Sequence, residues 1–493
     1  MERDIINKLN NFKDKHILVI GDFILDAYVD TQCERLAPEA SVPVLDITKT
    51  TYSLGGAANV AYNLEKLGSK VSLLTVLGQD DNSKKAIQLF KSNPQKSLYL
   101  HFSAEDQTLC KTRIHKDGQL LYRLDEGKHL TLENDQMDLF LKDLRELYLK
   151  CDAVYIADYN KGAIHYKVID LLEELKSMVY KPIVIDSKNY LQYRNIQPCI
   201  IKPNYKEALE LTHEKAHNDR IKQAPYLTDK LMEISKAKLV ALTLDKDGVY
   251  VSRRNGSQFH IETCQVEVQN SSGAGDIFLS TLLLNHLVEI DDINAAKIAC
   301  QAASIGIQKE ATAHCTWEEL KASLIQESGK VIINSENLAE LVKIKGQDKT
   351  VVLTTGCFDI FHSGHATFLK QAKEQGDILI VGINIDESIA RLKGPDRPVN
   401  TLMDRMEVLK ALSYIDYIVP FGDQDDTPIS LIKTIKPHVF VKGEDYQSTV
   451  TPEKKTLMSL GIKQVFIPLV PHQSTTKIIN RVQGNTINLK KIG

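Results

Sequence analysis

At 493 residues, 43% hydrophobic and 25% charged, the chain is long enough for two to four cored domains of roughly 100–200 residues each. Its formal net charge of −3 lacks the basic footprint of a nucleic-acid binder, so no nucleic-acid partner is expected. No stretch approaches the roughly 18 apolar residues of a membrane span, and the start MERDIINKLNNFKDKHILVIGD is acidic without a long apolar core; neither a membrane nor a signal peptide is expected, and the expected location is the cytoplasm.

In chain order, HILVIGD is a short Ile/Val-rich run closed by Gly-Asp, the pattern of a buried parallel strand ending at a functional edge. KVSLLTVLG, DAVYIADY, PIVIDSK, CIIKPN and LVALTLDKDG repeat the pattern, with helical segments such as AANVAYNLEKLG and YKVIDLLEELKSM between most of them. Such alternation predicts an α/β doubly wound sheet. Ligands of such sheets sit beyond the carboxyl ends of the strands, which makes Asp22, Asp158, Asp186 and Asn204 candidates for one cleft. GVYVSRRNGSQFHI alternates around Asn-Gly and predicts a β-hairpin.

Past AASIGIQKEATAHCTWEELKASL the rhythm weakens, and the junction is expected near 326–346. The alternation restarts with VVLTTG, DILIVGIN, YIDYIVPFG, HVFVKGED and IKQVFIPLV, a second and smaller α/β domain. The expected division is 1–325, a linker at 326–345, and 346–493. Cys33, Cys110, Cys151, Cys199, Cys264, Cys300, Cys315 and Cys357 show no paired short spacing, so buried free thiols are expected rather than a zinc site or a disulfide framework.

NSSGAGDIFLSTLLLNHL places Gly273, Ala274 and Gly275 before a helix that opens at Asp276. Small residues let backbone N–H groups converge on an anion, and the helix start adds positive potential. A carboxylate there serves as a general base for a hydroxyl attacking a γ-phosphate; a plain helix cap is the other reading. With GGAANVAYNLEKLG, KPNYKE and LTLDKDGVYV upstream in that order, the first 15–315 residues resemble the ribokinase-like carbohydrate kinases. The resemblance implies that Asp276 is the catalytic base and Gly273, Ala274 and Gly275 the anion hole. It implies that Asn204 and Glu207 organise Mg²⁺ and the ATP phosphates, with Tyr205 and Lys206 between them, and that Thr243 to Gly248, including Asp245, forms the loop over the nucleotide. Asp22, Gly55, Gly56 and Asn59 match sugar-contacting positions. Asn270 departs from the Asp common in that family. ERLAPEASVPVLDI, ADYNKGAI and CKTRIHKDGQLLYRLDEG look like the heptose-phosphate kinase branch. Lys111, Arg113 and Arg123 are candidate ligands for a phosphate already on the sugar, or else solvated charges on a strand face.

LTTGCFDIFHSGHATFL reads as a strand, a glycine turn and a helix whose first turn carries His362 and His365 on one face. Gly364 between them lets a nucleotide lie close. The reading preferred here is that both imidazoles donate to the oxygens of a phosphate under attack; zinc ligation and a histidine-rich cap are the alternatives. The stretch, with Thr354, Gly356, Phe358 and Asp359, resembles the HxGH nucleotidyltransferases over about residues 346–482. The resemblance extends to Arg391, Lys393 and Arg397 in RLKGPDRPVN, to Lys442 and Asp445 in VKGEDY, and to Ser474, Thr475 and Thr476 in STTKII as phosphate-binding groups.

Both halves together resemble the family of bifunctional heptose 7-phosphate kinases/heptose 1-phosphate adenylyltransferases. That resemblance implies phosphorylation of D-glycero-D-manno-heptose 7-phosphate at the anomeric O1, and adenylyl transfer from ATP to heptose 1-phosphate. The products are ADP-heptose and pyrophosphate, destined for lipopolysaccharide core or a related glycan. It also implies Mg²⁺ in both steps, a separate phosphatase acting between them, and a homodimer. A kinase for another phosphorylated sugar joined to a cytidylyltransferase, and a nucleotide-binding regulator with dead sites, are the rival readings.

Overall fold

The computed structural model describes residues 2–91, 96–254, 256–263, 266–309, 312–327, 330–332, 334–346, 348–422, 426–447, 449 and 451–468. Contacts divide the chain into Met1–Leu320 and Lys321–Gly493.

The first unit contains thirteen strands among the described residues: β1 (His16–Gly21), β2 (Phe23–Leu36), β3 (Pro43–Gly56), β4 (Lys70–Leu77), β5 (Lys96–Phe102), β6 (Cys110–Lys116), β7 (Gln119–Glu126), β8 (Ala153–Asp158), β9 (Ile183–Ser187), β10 (Ile200–Ile201), β11 (Leu239–Thr243), β12 (Val249–Arg253) and β13 (Gln258–Ile261). Nine form one sheet in the order β13-β12-β11-β10-β9-β8-β1-β4-β5. It is parallel from β11 to β5; β12 and β13 add antiparallel at one edge, the hairpin that the Asn-Gly signal predicted. The strands' unbroken Val/Ile runs follow from burial on both faces: β1 is buried from Ile17 through Gly21 and β8 throughout. Helices Asn134–Lys150 and Tyr166–Met178 contribute Phe140, Leu144, Val168 and Leu172 to the core on one face.

The remaining four strands form a second sheet, β3-β2-β6-β7. No expectation from the sequence described it. Its two long strands, of 14 residues each, mix charged and apolar residues without clean alternation. One face of β6 and β7 carries cations; the other exposes Tyr122 and Leu124, with Leu36, Ile47 and Leu120 also exposed on this sheet.

The second unit is built on β14 (Val351–Gly356), β15 (Ile378–Asn384), β16 (Tyr417–Phe421), β17 (Val439–Gly443) and β18 (Lys463–Ile467), in the order β16-β15-β14-β17-β18 and parallel throughout. The order reverses at β14, which places the binding crevice at its carboxyl end, between β14 and β17. The stretch expected to be a linker is folded into this unit. Val331 bridges to Ile418, Asn334 caps helix Ser335–Lys345 by accepting from Glu336 N and Asn337 N, and Leu338 and Leu341 are buried. Polar composition concealed a short amphipathic helix whose apolar stripe is only a few residues wide.

Cys110, Cys151, Cys199, Cys300 and Cys315 are buried free thiols; Cys33 and Cys357 are partly buried, and Cys264 lies outside the described residues. No described helix is long and apolar enough to cross a membrane.

Candidate active sites

The first site gathers at the carboxyl edge of the nine-stranded sheet. Helix Ala274–Leu287 starts at Gly273, whose φ of 88° suits glycine. A side chain at Gly273 would meet Asn59 Nδ2 at 2.8 Å, and one at Gly275 would meet Lys202 Nζ at 3.0 Å. Asp276 follows, 8% exposed. Asn59 Nδ2 donates to Asp276 Oδ2 at 2.6 Å, and the Tyr159 hydroxyl donates to Oδ1 at 3.5 Å. Asn63 Nδ2 in turn donates to Asn59 Oδ1 at 3.2 Å, which turns the Asn59 amide nitrogen toward the carboxylate. Burial, then the neighbouring charge of Asp186, pushes the Asp276 carboxyl up to about 7, against the pull of Asn59 and Lys202. A carboxylate poised near neutral pH, walled by donors that hold its orientation, is built to accept a proton.

Asp22, expected at the sugar, has both oxygens occupied by backbone: Oδ2 accepts from Tyr159 N (2.8 Å) and Lys161 N (3.1 Å), and Oδ1 from Ala163 N (3.0 Å). It is fully buried, and burial raises its carboxyl to about 6. It positions the Tyr159–Ala163 loop. Asp158 anchors the same loop, accepting from Asn160 N at 2.8 Å, Ser187 Oγ at 2.8 Å and Tyr193 Oη at 2.6 Å. The carboxylate that meets the cationic face is Asp26, which the sequence reading missed; the signal was a charge inside the apolar run DFILDAY. Arg113 Nη1 donates to Asp26 Oδ1 at 2.6 Å, and a side chain at Gly55 would stand 2.2 Å from Asp26 Oδ2. Gly56 has φ 57° against the Asp22 carbonyl.

Lys111, Arg113 and Arg123 do come together. Arg113 lies opposite Arg123, and Lys111 opposite Asp125, on one face of the β6–β7 ladder. Arg123 is paired with Asp125 at 2.8 Å, and Arg113 also lies over the Tyr28 ring. Lys111 makes no ion pair among the described residues; its ammonium is 5.8 Å from the Tyr159 ring centre, and burial lowers its affinity for the proton.

Asn204 and Glu207 form a reciprocal capping box, Glu207 N to Asn204 Oδ1 and Asn204 N to Glu207 Oε2, both 2.9 Å. Asn204 bridges to Thr243, which joins the KPNYKE and LTLDKDG segments. Asp245 (φ 55°) and Gly248 (φ 91°) shape the loop that follows, and Asp245 pairs with Arg220 at 3.1 Å. Tyr205 bonds Gln223 at 2.6 Å, while Lys206 points outward and reaches Glu210 at 3.9 Å. Asn270 Oδ1 accepts from Ser272 N at 2.9 Å, so its amide shapes the turn into Gly273.

The second site is a cleft of about 690 Å³ at the end of β14, lined by Gly356, Phe358, His362, Gly364, His365 and Lys393 on one side and by Lys442, Asp445 and Glu453 on the other. His362 is the N-cap of helix Ser363–Lys373. The two imidazoles stack, with centroids 3.9 Å apart and 19° between planes. Burial, then His362, then Lys393 lower the His365 ring to about 4; burial lowers His362 as well. Both Nδ1 atoms are buried without a hydrogen-bond partner among the described residues. Among the described residues no group bonded to Nδ1 fixes either tautomer, so either ring can carry the N–H that meets an anion. Phe358 adopts φ 47° and packs edge-on against His365.

Thr354 is buried and donates to the Val441 carbonyl at 2.9 Å, tying β14 to β17 rather than facing the cleft. Asp359 is also buried. Although burial alone would raise it, donation from Asn400, Arg397 and Val399 holds its carboxyl below the ordinary range. Arg397 Nε reaches Asp359 Oδ2 at 2.6 Å and so braces a loop. Arg391 is engaged by Asp426 at 2.7 Å and the Gly422 carbonyl at 2.7 Å. Lys442 pairs with the buried Glu453 and lies 4.7 Å from the Tyr446 ring centre. Ser474, Thr475 and Thr476 lie outside the described residues. The sequence reading missed Arg405. It is completely buried and donates to the carbonyls of Cys357 (2.7 Å), Asn384 (2.8 Å) and Asn400 (3.1 Å) and to Asp386 (2.6 Å), stapling the turn before His362 to β15. A basic residue in register with Leu402, Met406 and Leu409 on an apolar helix stripe was its signal.

The two domains, a doubly wound sheet with a carboxylate at a glycine turn and a parallel sheet with paired histidines at a helix start, are those of a phosphotransferase joined to a nucleotidyltransferase. The pfkB family carbohydrate kinase model matches residues 14–319, and the cytidylyltransferase-like model matches residues 353–481. Phosphofructokinase-2 from Escherichia coli shares the first unit's fold, with a TM-score of 0.52 at 17% identity over 64% of this chain and 99% of its own. The Bifunctional protein HldE of Syntrophotalea carbinolica is 33% identical over 97% of this chain and 98% of its own length. That of Campylobacter fetus is 34% identical over 95% and 100%, and that of Helicobacter acinonychis 36% over 88% and 92%. The chain belongs to the bifunctional HldE family, a pfkB carbohydrate kinase joined to a nucleotidyltransferase. ATP is its substrate.

Proposed function

We propose that the chain phosphorylates D-glycero-D-manno-heptose 7-phosphate at O1 and adenylylates heptose 1-phosphate to ADP-heptose. The observation that carries the reading is the base Asp276, poised at a glycine turn within the same unit as the cationic face of Lys111, Arg113 and Arg123. A sugar that already bears a phosphate uses such a face. In the kinase step Asp276 takes the O1 proton, O1 bonds to Pγ, and ADP leaves. In the second step a sugar-phosphate oxygen attacks Pα and pyrophosphate leaves. His362 and His365 donate to the phosphate oxygens as charge gathers there.

Mg²⁺ serves both steps by screening the triphosphate. No cluster of three or more His, Cys, Asp or Glu fit to hold a metal occurs among the described residues. Glu207 keeps one carboxylate oxygen in its capping box, and Asp186 is partly exposed. This donor set suits an ion that arrives on the triphosphate and takes one or two carboxylates, as Mg²⁺ does.

Because the kinase product carries two phosphates and the second substrate one, a separate phosphatase acts between the steps. The exposed apolar residues of the four-stranded sheet, Leu36, Ile47, Leu120, Tyr122 and Leu124, support a homodimer through that face. The cytoplasm supplies the ATP, and the nucleotide sugar feeds lipopolysaccharide core or a related glycan.

Mass spectrometry of the products formed from heptose 7-phosphate and heptose 1-phosphate tests the reading, with ATP set against CTP and other sugar phosphates run alongside. A 1,7-bisphosphate and ADP-heptose are expected. Preference for CTP, or for a hexose or pentose phosphate, rejects it.

A further inference from the structure

Asn59 and Asn63 lie one turn apart on one face of helix Ala57–Lys66. Asn63 is fully buried. Its Nδ2 donates twice, to the Asn59 carbonyl at 3.0 Å and to Asn59 Oδ1 at 3.2 Å. Its own Oδ1 is buried without a hydrogen-bond partner among the described residues. A buried acceptor left bare costs stability, and a leucine of nearly the same shape would carry no such penalty. Packing therefore gives no reason for an amide at position 63; the two donations do.

Those donations set a direction. A backbone carbonyl only accepts, so the Asn63 atom facing Asn59 O is the NH2 and not the oxygen. The same NH2 reaches the Asn59 side chain, so the Asn59 atom found there is its oxygen. The Asn59 NH2 is then left for Asp276 Oδ2, at 2.6 Å. Turned over, the Asn59 amide would present an oxygen to the carboxyl and favour the protonated acid. The other groups facing Asp276 divide between the two states. Asp186 and Asp26 oppose its charge, Lys202 supports it, and the Tyr159 hydroxyl stands at 3.5 Å.

We propose that Asn63 is a positioning residue of the phosphoryl-transfer site: it locks the Asn59 amide so that only an N–H meets Asp276, and so holds the base ready to accept the proton of the sugar hydroxyl. Asn63 acts through Asn59 and not on the substrate. The proposal rests on the reading of Asp276 as the kinase base.

The test uses the full chain with Asn63→Leu, Asn59→Ala and Asn59→Ala/Asn63→Leu. Kinase kcat/KM is measured from about pH 5.5 to 9, and the thermal midpoint of each protein is recorded. Burial and Asp186 hold the Asp276 carboxyl at about 7 against the pull of Asn59. Loss of a fixed donor raises it further, so the acid limb of the profile moves to higher pH. For Asn63→Leu we expect that limb to move up by about half a pH unit. Its kcat/KM at about pH 6.5 should fall about three- to tenfold, with much of the loss regained near pH 9. Its thermal midpoint should be unchanged or higher. In the Asn59→Ala background Asn63→Leu should add no further loss, because its only route to the base is gone. A profile that stays in place, losses that multiply in the double variant, or a lower midpoint for Asn63→Leu overturns the proposal and leaves Asp276 as the base. A parent protein without an acid limb, or full kinase turnover by Asp276→Asn, overturns the base reading and the proposal with it.

Discussion

Two helices open on glycine-bearing turns, and the chain treats them in opposite ways. Ala274–Leu287 is buried at every residue from Asp276 to Asn285, a core helix with its reactive carboxylate sealed at the start. Ser363–Lys373 buries only Leu369 and Ala372 and presents its histidines to an open cleft. Burial nevertheless acts on both by one rule: it disfavours the charged form, lifting Asp276 to about 7 and lowering His365 to about 4. At neutral pH one helix start therefore holds a carboxyl near its midpoint, and the other a neutral His365 ring.

The sharpest way to break this comparison is Asp276→Asn. Sugar phosphorylation should fall by about 10²–10⁴-fold, the worth of a general base, while ATP-to-pyrophosphate exchange on sugar 1-phosphate continues; joint loss of both would argue for one composite site. His365→Ala should do the converse, lowering pyrophosphate release about 10²–10³-fold with kinase turnover retained. Asn59→Ala removes the 2.6 Å donor to Asp276, and about a tenfold loss in kinase kcat/KM is expected from a hydrogen bond to a charged group. Since that donor favours the ionised form, the kinase profile should also move to higher pH.

The smallest effect is the pH contrast itself. A base raised to about 7 is ionised only above that pH, so kinase kcat/KM should climb as pH rises from 6 toward 8. A ring lowered to about 4 is already neutral throughout that window, so His365 should impose no inflection on adenylyl kcat/KM between pH 6 and 8. Parallel profiles for the two half-reactions would refute the contrast.

Motif-bearing residues were legible because backbone chemistry demands them: glycine at φ 88° before Asp276, and two histidines at the start of one helix. The parallel strands of both sheets were legible from runs of buried Val and Ile. Residues that act through distant partners were not. Asp22 follows a strand as the sugar contact was expected to, yet donors 137 to 141 residues away occupy it. Asp26 faces a strand 87 residues on. Arg405 is a charge that only three converging carbonyls and a carboxylate explain. The four-stranded sheet escaped notice because its two long strands, β2 and β3, mix charged and apolar residues without the alternation that one continuously buried face imposes.

The sequence by itself determined that two helices open behind glycine-bearing turns, one with Asp276 in its first turn and the other with His362 and His365, because short spacing along the backbone sets those geometries. Tertiary structure alone decided their charge states and their neighbours. Desolvation, and the convergence of Asn59, Lys202 and Asp186 on Asp276, depend on elements far apart in the chain, and no local pattern records which of them will meet.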